Sequence, residues 1–216
     1  RPAEGKVERF PALAVELVQL KVDVIVAGTA AAARAARQAT TTIPIIAPTM
    51  GDPVGEGFAA SLSRPGGNIT GLTFLGPELV PKRLELLKEA LPKLSRVAAL
   101  WHPGALSEGT TKDMLSRTEA AARKLGVHLQ LEAVRGPDDL DRAFSTSTRQ
   151  RAHAFLMFPS AMFFNERRRV VGLAGRHRLP SVYAGREFVE LGGLISYGAS
   201  IPDLFRRAAT YVDKIL

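Results

Sequence analysis

The sequence predicts an α/β fold, in which helices cover both faces of parallel sheets in two Rossmann-like lobes. Short apolar, β-branched runs recur along the chain, and residues 22–27 (VDVIVA) are the clearest of them. Such a run is typical of a parallel strand that is buried on both faces. Most runs are followed by turn-forming residues and then by an amphipathic segment, so strands and helices alternate throughout the 216 residues.

The helices are predicted from the spacing of apolar residues and from signals at the helix ends. Leucines recur at helical spacing through residues 81–94. Gly126 ends a long helix, Asp138 or Asp139 is expected to cap another, and Pro202 marks the first turn of the last one. The predicted helices cover residues 10–21, 30–39, 57–62, 81–94, 110–125, a segment that begins at 136–139, 164–177, 186–191 and 202–216.

Eight strands are predicted, and they fit either one large sheet or two smaller ones. They cover residues 22–27, 43–47, 69–74, 96–101, 127–134, 154–158, 180–184 and 192–197, whereas residues 1–9 are expected to be extended. The chain begins and ends with a helix, and the Gly/Pro-containing crossing 198–202 precedes the last one. A terminal helix that returns to the first lobe favours two lobes. A (β/α)8 barrel is disfavoured, because barrels of that kind have about 250 residues and these loops are uneven in length.

Composition narrows the class of protein. The chain lacks cysteine, which excludes disulfides, thiol catalysis and cysteine-ligated metals. The net charge of +8 is compatible with a nucleic-acid partner or with a solvated basic exterior. The basic residues are scattered, and the densest run, 166–169, falls in a predicted helix, so we favour the solvated exterior. No apolar run reaches the roughly 20 residues of a membrane span.

Motifs for catalysis are missing from the sequence. It contains no G-x-S-x-G, H-E-x-x-H or Walker pattern, and its four histidines are widely spaced. His102 follows a predicted strand, where it is either an ordinary loop residue or a residue of a cleft. The sequence therefore predicts a protein without catalytic residues, cofactor or metal.

Candidate binding residues follow the predicted strands, because ligands of open α/β sheets bind at the carboxyl ends of the strands. The turn at Gly28 precedes a helix whose first N–H groups and Thr29 hydroxyl suit a carboxylate, although an ordinary turn has the same sequence. Asp52 is suited to a ligand ammonium group, and equally to a hydrogen bond within its own turn. In the first lobe the candidates are Thr29, Ala30, Thr49, Asp52, Thr73 and Phe74.

In the second lobe the candidates add aromatic side chains that would cover a flat or apolar ligand. Trp101 belongs either to the site or to the core, and one of the adjacent Phe163 and Phe164 is expected to face the cleft. Arg186 is suited to a ligand carboxylate or to an ion pair with Glu187 or Glu190. The candidates here are Trp101, Ser160, Phe163, Tyr183, Arg186, Glu187 and Tyr197.

Long stretches of the sequence resemble the substrate-binding proteins of bacterial ABC importers. The resemblance is carried by residues 22–73 (VDVIVAGTAAAARAARQATTTIPIIAPTMGDPVGEGFAASLSRPGGNITGLT) and by KRLELLKEALPKLSRVAALWHP, REFVELGGLISYG and IPDLFRRAATYVDKIL. It extends over nearly the whole chain. Members of this family are two-lobed solute receptors with the type I periplasmic-binding-protein architecture, and some relatives bind aromatic amino acids.

The resemblance implies several expectations about organisation and partners. The first lobe would comprise residues 1–77 and 201–216, and the second residues 78–200. The lobes would close about a hinge over a small molecule, which we expect to be an amino acid or an aromatic acid. The receptor would lie in the periplasm and deliver this molecule to the membrane subunits of an ABC permease. Family members carry a signal peptide and a further strand and helix before the position of Arg1, so the first lobe is expected to lack its N-terminal strand.

Two other functions stay open from the sequence. The same two-lobed fold serves as the effector-binding domain of transcription regulators, which would require a DNA-binding segment ahead of Arg1. A Rossmann-type enzyme is the other alternative, but the turn at Gly28 lacks the G-x-G-x-x-G pattern of dinucleotide sites.

Overall fold

The computed structural model of the protein describes residue 3 and residues 6–216. The segment expected to be extended, 1–9, falls partly on residues 1, 2, 4 and 5, which lie outside the described residues. Within the described part, Val7–Arg9 form a 3₁₀ turn rather than extended chain.

Helices and strands alternate along the described chain. The helices are α1 (Phe10–Gln19), α2 (Ala30–Ala39), α3 (Val80–Ala90), α4 (Glu108–Lys124), α5 (Leu140–Arg149), α6 (Ala161–Asn165), α7 (Arg167–Arg176), α8 (Arg186–Val189) and α9 (Ile201–Ile215). The strands are β1 (Ile25–Val26), β2 (Ile45–Met50), β3 (Ile69–Thr73), β4 (Arg96–Trp101), β5 (His128–Ala133), β6 (Ala154–Met157), β7 (Ser181–Tyr183) and β8 (Ile195–Ser196). They divide into two compact units, residues 1–74 with 200–216 and residues 75–199.

The first unit is built on a parallel sheet of order β1-β2-β3. Its core is apolar on both faces of β2, where Ile45, Ile46 and Ala47 are buried. The small side chains of Ala33 and Ala36 let α2 pack closely against this sheet. The last helix, α9, packs on β2 and β3 of the same unit, since its Leu204 and Ala208 are buried.

Gly71 explains how closely β3 approaches β2. It lies opposite Ala47 in the strand register and has a φ of +158°. A Cβ atom at this position would lie 2.0 Å from the carbonyl oxygen of Ala47. Only glycine therefore permits this register between β3 and β2.

The second unit is built on a parallel sheet of order β5-β4-β6-β7-β8. Its central strands are buried on both faces, and Val97 to Leu100 of β4 are fully inaccessible to solvent. One core cluster, around Phe144 and Phe155, lies towards α5 and α7. The other, around Leu84 and Leu156, lies towards α3 and α4. All strand pairs among the described residues are parallel, which confirms the predicted fold class.

Several predicted elements differ from the structure. Residues 57–62 are not helical: they follow a series of turns in which Phe58 donates to the carbonyl of Pro53, and Gly57 has a φ of +71°. Strand β2 (Ile45–Met50) begins two residues later and ends three residues later than the predicted strand 43–47. Asp139 does not cap α5 through its side chain; its carboxylate accepts the backbone N–H of Arg135 instead. The predicted helix 164–177 is divided at Glu166 into α6 and α7.

None of the helices in the described part is long and apolar enough to cross a membrane. Among the same residues, no group of three or more His, Asp or Glu side chains is arranged to hold a metal ion.

Candidate functional site

In the first unit, the turn between β1 and α2 places Thr29 and Ala30 at a helix N-terminus. Thr29 has an extended backbone, and its hydroxyl oxygen accepts the N–H of Ala32 at 3.1 Å. This is an N-cap, so the Thr29 side chain already satisfies one of the unpaired donors of the first turn. Thr29 and Ala30 are both half-buried. Their position at the carboxyl end of β1 is the one that the sequence predicted.

Threonine hydroxyls join the carboxyl ends of the three strands in this unit. Thr49 donates to the carbonyl of Gly28 at 2.8 Å, which ties β2 to the end of β1. Thr73 donates to the carbonyl of Gly51 at 3.1 Å, which ties β3 to the end of β2. The structure therefore brings Thr29, Thr49 and Thr73 to one sheet edge, with their hydroxyls engaged in holding that edge together.

Asp52 and Phe74 complete the predicted set in the first unit. The carboxylate of Asp52 accepts the N–H of Gly55 at 2.8 Å, and its carbonyl accepts the N–H of Glu56. Of the two interpretations of Asp52, the structure shows the hydrogen bond within its own turn. The backbone N–H of Phe74 donates to the carbonyl of Met50 at 3.0 Å, and its ring is half-buried.

In the second unit, β4 and β6 end beside one another with a polar pair. The Nδ1 atom of His102 lies 2.9 Å from the hydroxyl of Ser160. Ser160 is also the N-cap of α6, where its hydroxyl oxygen accepts the N–H of Met162 at 3.1 Å. Desolvation lowers the pKa of His102 below its ordinary value, and a hydrogen bond to the backbone of Arg135 opposes that shift. His102 therefore belongs to this edge, next to the predicted Trp101, which is half-buried.

Tyr183 is the last residue of β7 and Tyr197 directly follows the neighbouring strand β8, but the two residues differ in exposure. Tyr197 is 41% exposed as a residue, and its backbone N–H donates to the carbonyl of Tyr183 at 2.9 Å. Tyr183 is fully buried: its ring stacks on Phe188 at 4.7 Å and its hydroxyl accepts from Ser181 at 2.8 Å. Burial raises the pKa of Tyr183.

Phe163 is buried as completely as Tyr183 and belongs to the same core cluster. Its ring meets that of His102 edge-on, with 6.4 Å between their centres. Because their rings are enclosed by core side chains, Phe163 and Tyr183 belong to the hydrophobic core that packs against the carboxyl end of the sheet. Phe164, the alternative considered from the sequence, is half-buried and lies under the guanidinium of Arg167.

Arg186 and Glu187 lie on the short helix α8, which follows β7. The side chain of Arg186 is 86% exposed, and its Nε atom pairs with Glu190 at 3.0 Å. This is one of the two ion pairs that the sequence left open. The carboxylate of Glu187 folds back over Gly185, within 2.4 Å of where a Cβ on that glycine would lie.

Sequence reasoning missed Arg83, a residue of the same unit that contacts the carboxyl edge. Arg83 has no exposed surface, and its Nε atom donates to the carbonyl of Tyr197 at 2.7 Å. A signal was present, since Arg83 is four residues before Leu87 and three after Val80, on the face that α3 buries.

Each sheet edge, taken by itself, carries groups that suit reversible binding. The edge of the first unit has a helix N-terminus and hydroxyl groups. The edge of the second unit has the half-buried Trp101, the exposed Tyr197 and the His102–Ser160 pair. A surface groove of about 730 Å³ lies elsewhere, between α3 and α4, and none of the predicted binding residues lines it.

Comparison with protein families gives a match over residues 1–216 to a family described as ABC transporter substrate binding protein. The chain belongs to this family. Its members are receptors that bind a substrate for a transporter.

Individual members are similar at low sequence identity. A tyrosine-binding protein from Clostridioides difficile strain R20291 is 25% identical over 215 residues, which are 99% of this chain and 60% of the relative. The chain therefore spans about three fifths of the length of that relative.

Solved structures show the same fold. An ABC domain from Streptococcus pneumoniae in complex with L-Trp is 24% identical, with a TM-score of 0.85 over 98% of this chain and 71% of that one. A conserved domain protein from Vibrio cholerae O1 biovar El Tor strain N16961 is 26% identical, with a TM-score of 0.89 over 100% of this chain and 71% of that one. The α/β fold of type I periplasmic-binding-protein-like receptors, predicted from the sequence, is confirmed.

Proposed function

We propose that this chain is the solute-capturing part of an ABC importer and that its solute is an aromatic amino acid or a closely related aromatic acid. The observation that carries the proposal is the carboxyl edge of the second sheet, where the exposed ring of Tyr197 and the indole of Trp101 accompany the polar His102–Ser160 pair. An aromatic solute needs apolar ring surfaces and a few directed polar groups.

The chemistry of the relatives supports this ligand class. The similar protein from C. difficile is named for tyrosine binding, and the S. pneumoniae structure holds L-Trp. Both are amino acids with a flat side chain and a zwitterionic end. In our proposal the carboxylate of the solute meets the first N–H groups of α2, where the helix dipole favours negative charge.

The lobes and the site residues are part of the same proposal. We assign residues 1–77 and 201–216 to the first lobe and residues 78–200 to the second, with the solute taken up at the carboxyl edges of their sheets. Because Phe163 and Tyr183 are enclosed in the core, we assign them a supporting role. The residues proposed to contact the solute are Thr29, Ala30, Thr49, Asp52, Thr73, Phe74, Trp101, Ser160, Arg186, Glu187 and Tyr197.

Binding is proposed to occur without covalent chemistry. The His102–Ser160 pair joins two strand ends, and Ser160 is already engaged as a helix cap. A receptor of this kind acts outside the cytoplasm and delivers its solute to a membrane permease, which we propose for this chain as well. Turnover of a p-nitrophenyl ester that is lost in Ser160→Ala would contradict the absence of catalysis.

Isothermal titration calorimetry and thermal unfolding test the ligand class. The probes are L-tyrosine, L-tryptophan, L-phenylalanine and 4-hydroxybenzoate, with L-valine and maltose as non-aromatic controls. An aromatic probe at 100 times its Kd is expected to stabilise the native chain by about 2.7 kcal/mol. Stabilisation by L-valine or maltose alone, or by none of the probes, would overturn the proposal.

A further inference from the structure

Arg83 occupies a core position on α3. It shares the buried face of that helix with Val80, Leu84 and Leu87, and it has no exposed surface. Arginine is almost never fully buried unless it is paired. Its place in the core therefore calls for a specific partner.

The partners of Arg83 are two backbone carbonyls that lie far apart in the sequence. Its Nε atom donates to Tyr197 at 2.7 Å, and its Nη1 atom donates to Gly76 at 3.2 Å. Gly76 lies where the chain enters the second unit, and Tyr197 lies just before the chain leaves it. One guanidinium thus joins the beginning and the end of the continuous stretch 75–199 that forms that unit.

The burial of the Arg83 guanidinium is not expected to stabilise the folded state. Burial lowers the pKa of Arg83 to about 10, so the side chain is still charged at neutral pH. No carboxylate of the described residues pairs with it, and its buried Nη2 atom is without a hydrogen-bond partner among them. A buried cation without a counter-charge costs free energy. A role in positioning accounts for Arg83 better than a role in stability.

Tyr197 is the residue that Arg83 positions. Its carbonyl accepts from Arg83, and its N–H donates to Tyr183 at 2.9 Å, so its backbone is held from both sides. The next residue, Gly198, approaches so closely that a Cβ there would lie 2.1 Å from the carbonyl oxygen of Ala184. Despite this fixed backbone, Tyr197 is 41% exposed as a residue.

We propose that Arg83 is a positioning residue for the ring of Tyr197, and that through this ring it sets the affinity for aromatic solutes. The inference rests on the proposed function, in which Tyr197 contacts the solute. Holding the backbone of a binding residue before the ligand arrives reduces the ordering that binding requires. Arg83 would then act without touching the solute.

A double-mutant cycle with L-tyrosine as the probe tests this coupling. Calorimetry is performed on the unaltered chain, Arg83→Gln, Arg83→Lys, Tyr197→Ala and the two double variants. Each Arg83 substitution is expected to weaken binding about fivefold to tenfold when Tyr197 is present, and less than twofold when Tyr197 is alanine. Equal losses in both backgrounds would overturn the proposal.

Arg83→Lys separates positioning from charge. Lysine keeps the positive charge but lacks the planar fork that reaches two carbonyls. We expect Arg83→Lys to lose affinity as Arg83→Gln does. Full rescue by lysine would contradict the proposal, because a long-range attraction between a cation and the carboxylate of L-tyrosine would then explain the effect.

Hydrogen exchange provides a readout that needs no ligand. In Arg83→Lys, the amide of Tyr197 is expected to exchange faster than in the unaltered chain, while β5 (His128–Ala133) keeps its protection. The matched control is Arg117→Lys, an exposed arginine paired with Asp113, which should change neither segment. Loss of β5 protection in every Arg83 variant, or no change at Tyr197, would overturn the proposal.

Failure of the unaltered chain to bind any aromatic amino acid would instead count against the proposed function. The exchange result would still decide whether Arg83 holds the backbone of Tyr197.

Discussion

The hydroxyl of Thr49 donates a hydrogen bond of 2.8 Å to the carbonyl oxygen of Gly28. Gly28 directly precedes Thr29, the N-cap of α2, so this bond fixes the start of that helix relative to the neighbouring strand. Gly28 itself has little space: a Cβ there would lie 3.3 Å from the ring of Phe205 on α9. A side-chain bond from β2 and a ring from α9 therefore constrain the same turn.

Replacing Thr49 by valine removes this bond with little change in size. Because the Gly28 carbonyl loses a partner, we expect the free energy of unfolding to fall by about 1 kcal/mol. Thr41→Val makes the same chemical change at an exposed loop position and should alter stability by less than about 0.5 kcal/mol. Urea titration followed by circular dichroism measures both. Equal effects of the two substitutions would show that the Thr49–Gly28 bond contributes nothing.

Gly71→Ala is expected to be severely destabilising. The added Cβ would lie 2.0 Å from the carbonyl oxygen of Ala47, so β3 must move away from β2. We expect a loss of about 2–3 kcal/mol or more in the free energy of unfolding. Thermal and urea unfolding measure this loss.

Gly109→Ala is the matched control for that substitution. Gly109 lies in the first turn of α4, and a Cβ there would meet no atom within 4 Å. Since alanine is favoured over glycine in a helix, this change should be neutral or stabilising by up to about 1 kcal/mol. A Gly71→Ala chain as stable as the unaltered one would mean that the close approach of β3 to β2 is not required.

Strand β4 and strand β1 show what the sequence can and cannot predict about the fold. The apolar run of β4 predicted its bounds, Arg96–Trp101, because a strand with partners on both sides is apolar along its whole length. For β1 the predicted strand 22–27 shrinks to Ile25–Val26. It pairs with β2 alone among the described strands, and hydropathy does not reveal where that pairing begins.

The candidate site could be predicted by position but not by side-chain direction. Because Ser160 and Tyr197 follow strands in the sequence, we expected them at the carboxyl edge of the second sheet, and the structure places both there. It did not reveal that Tyr183, the last residue of its strand, directs its ring into the core. Arg83 was missed for the opposite reason: a charged residue in an amphipathic helix is expected at the surface, and only its spacing from Leu87 indicated otherwise.

Tyr183→Phe should separate support of the edge from contact with the solute. The change removes the hydroxyl that Ser181 bonds at 2.8 Å and leaves the buried Ser181 hydroxyl without that partner. We expect the free energy of unfolding to fall by about 1–2 kcal/mol, while the Kd for L-tyrosine changes less than twofold. Tyr211→Phe on α9 is the control for stability. A marked loss of affinity in Tyr183→Phe would return Tyr183 to the residues that contact the solute.

The lowered pKa of His102 leads to a prediction of how the free energy of unfolding depends on pH. Desolvation lowers its pKa in the folded state below the value of about 6.5 in the unfolded chain. As the pH falls through 6.5, the unfolded state therefore takes up a proton that the native state resists, and the free energy of unfolding decreases. Above that pH both states are neutral and this contribution is constant. His102→Gln should thus flatten the decline in stability between pH 7 and pH 5.

Urea titrations at half-unit steps from pH 5 to pH 8 measure the difference between the two chains. The range avoids Asp139 and Asp141, whose pKa values are held below the usual range by hydrogen bonds from Arg142 and Arg169, so that both carboxyls titrate at lower pH. If His102→Gln keeps the slope of the unaltered chain, the imidazole is solvated in the native state. The His102–Ser160 pair would then be open to water and could not act as a desolvated polar contact for the solute.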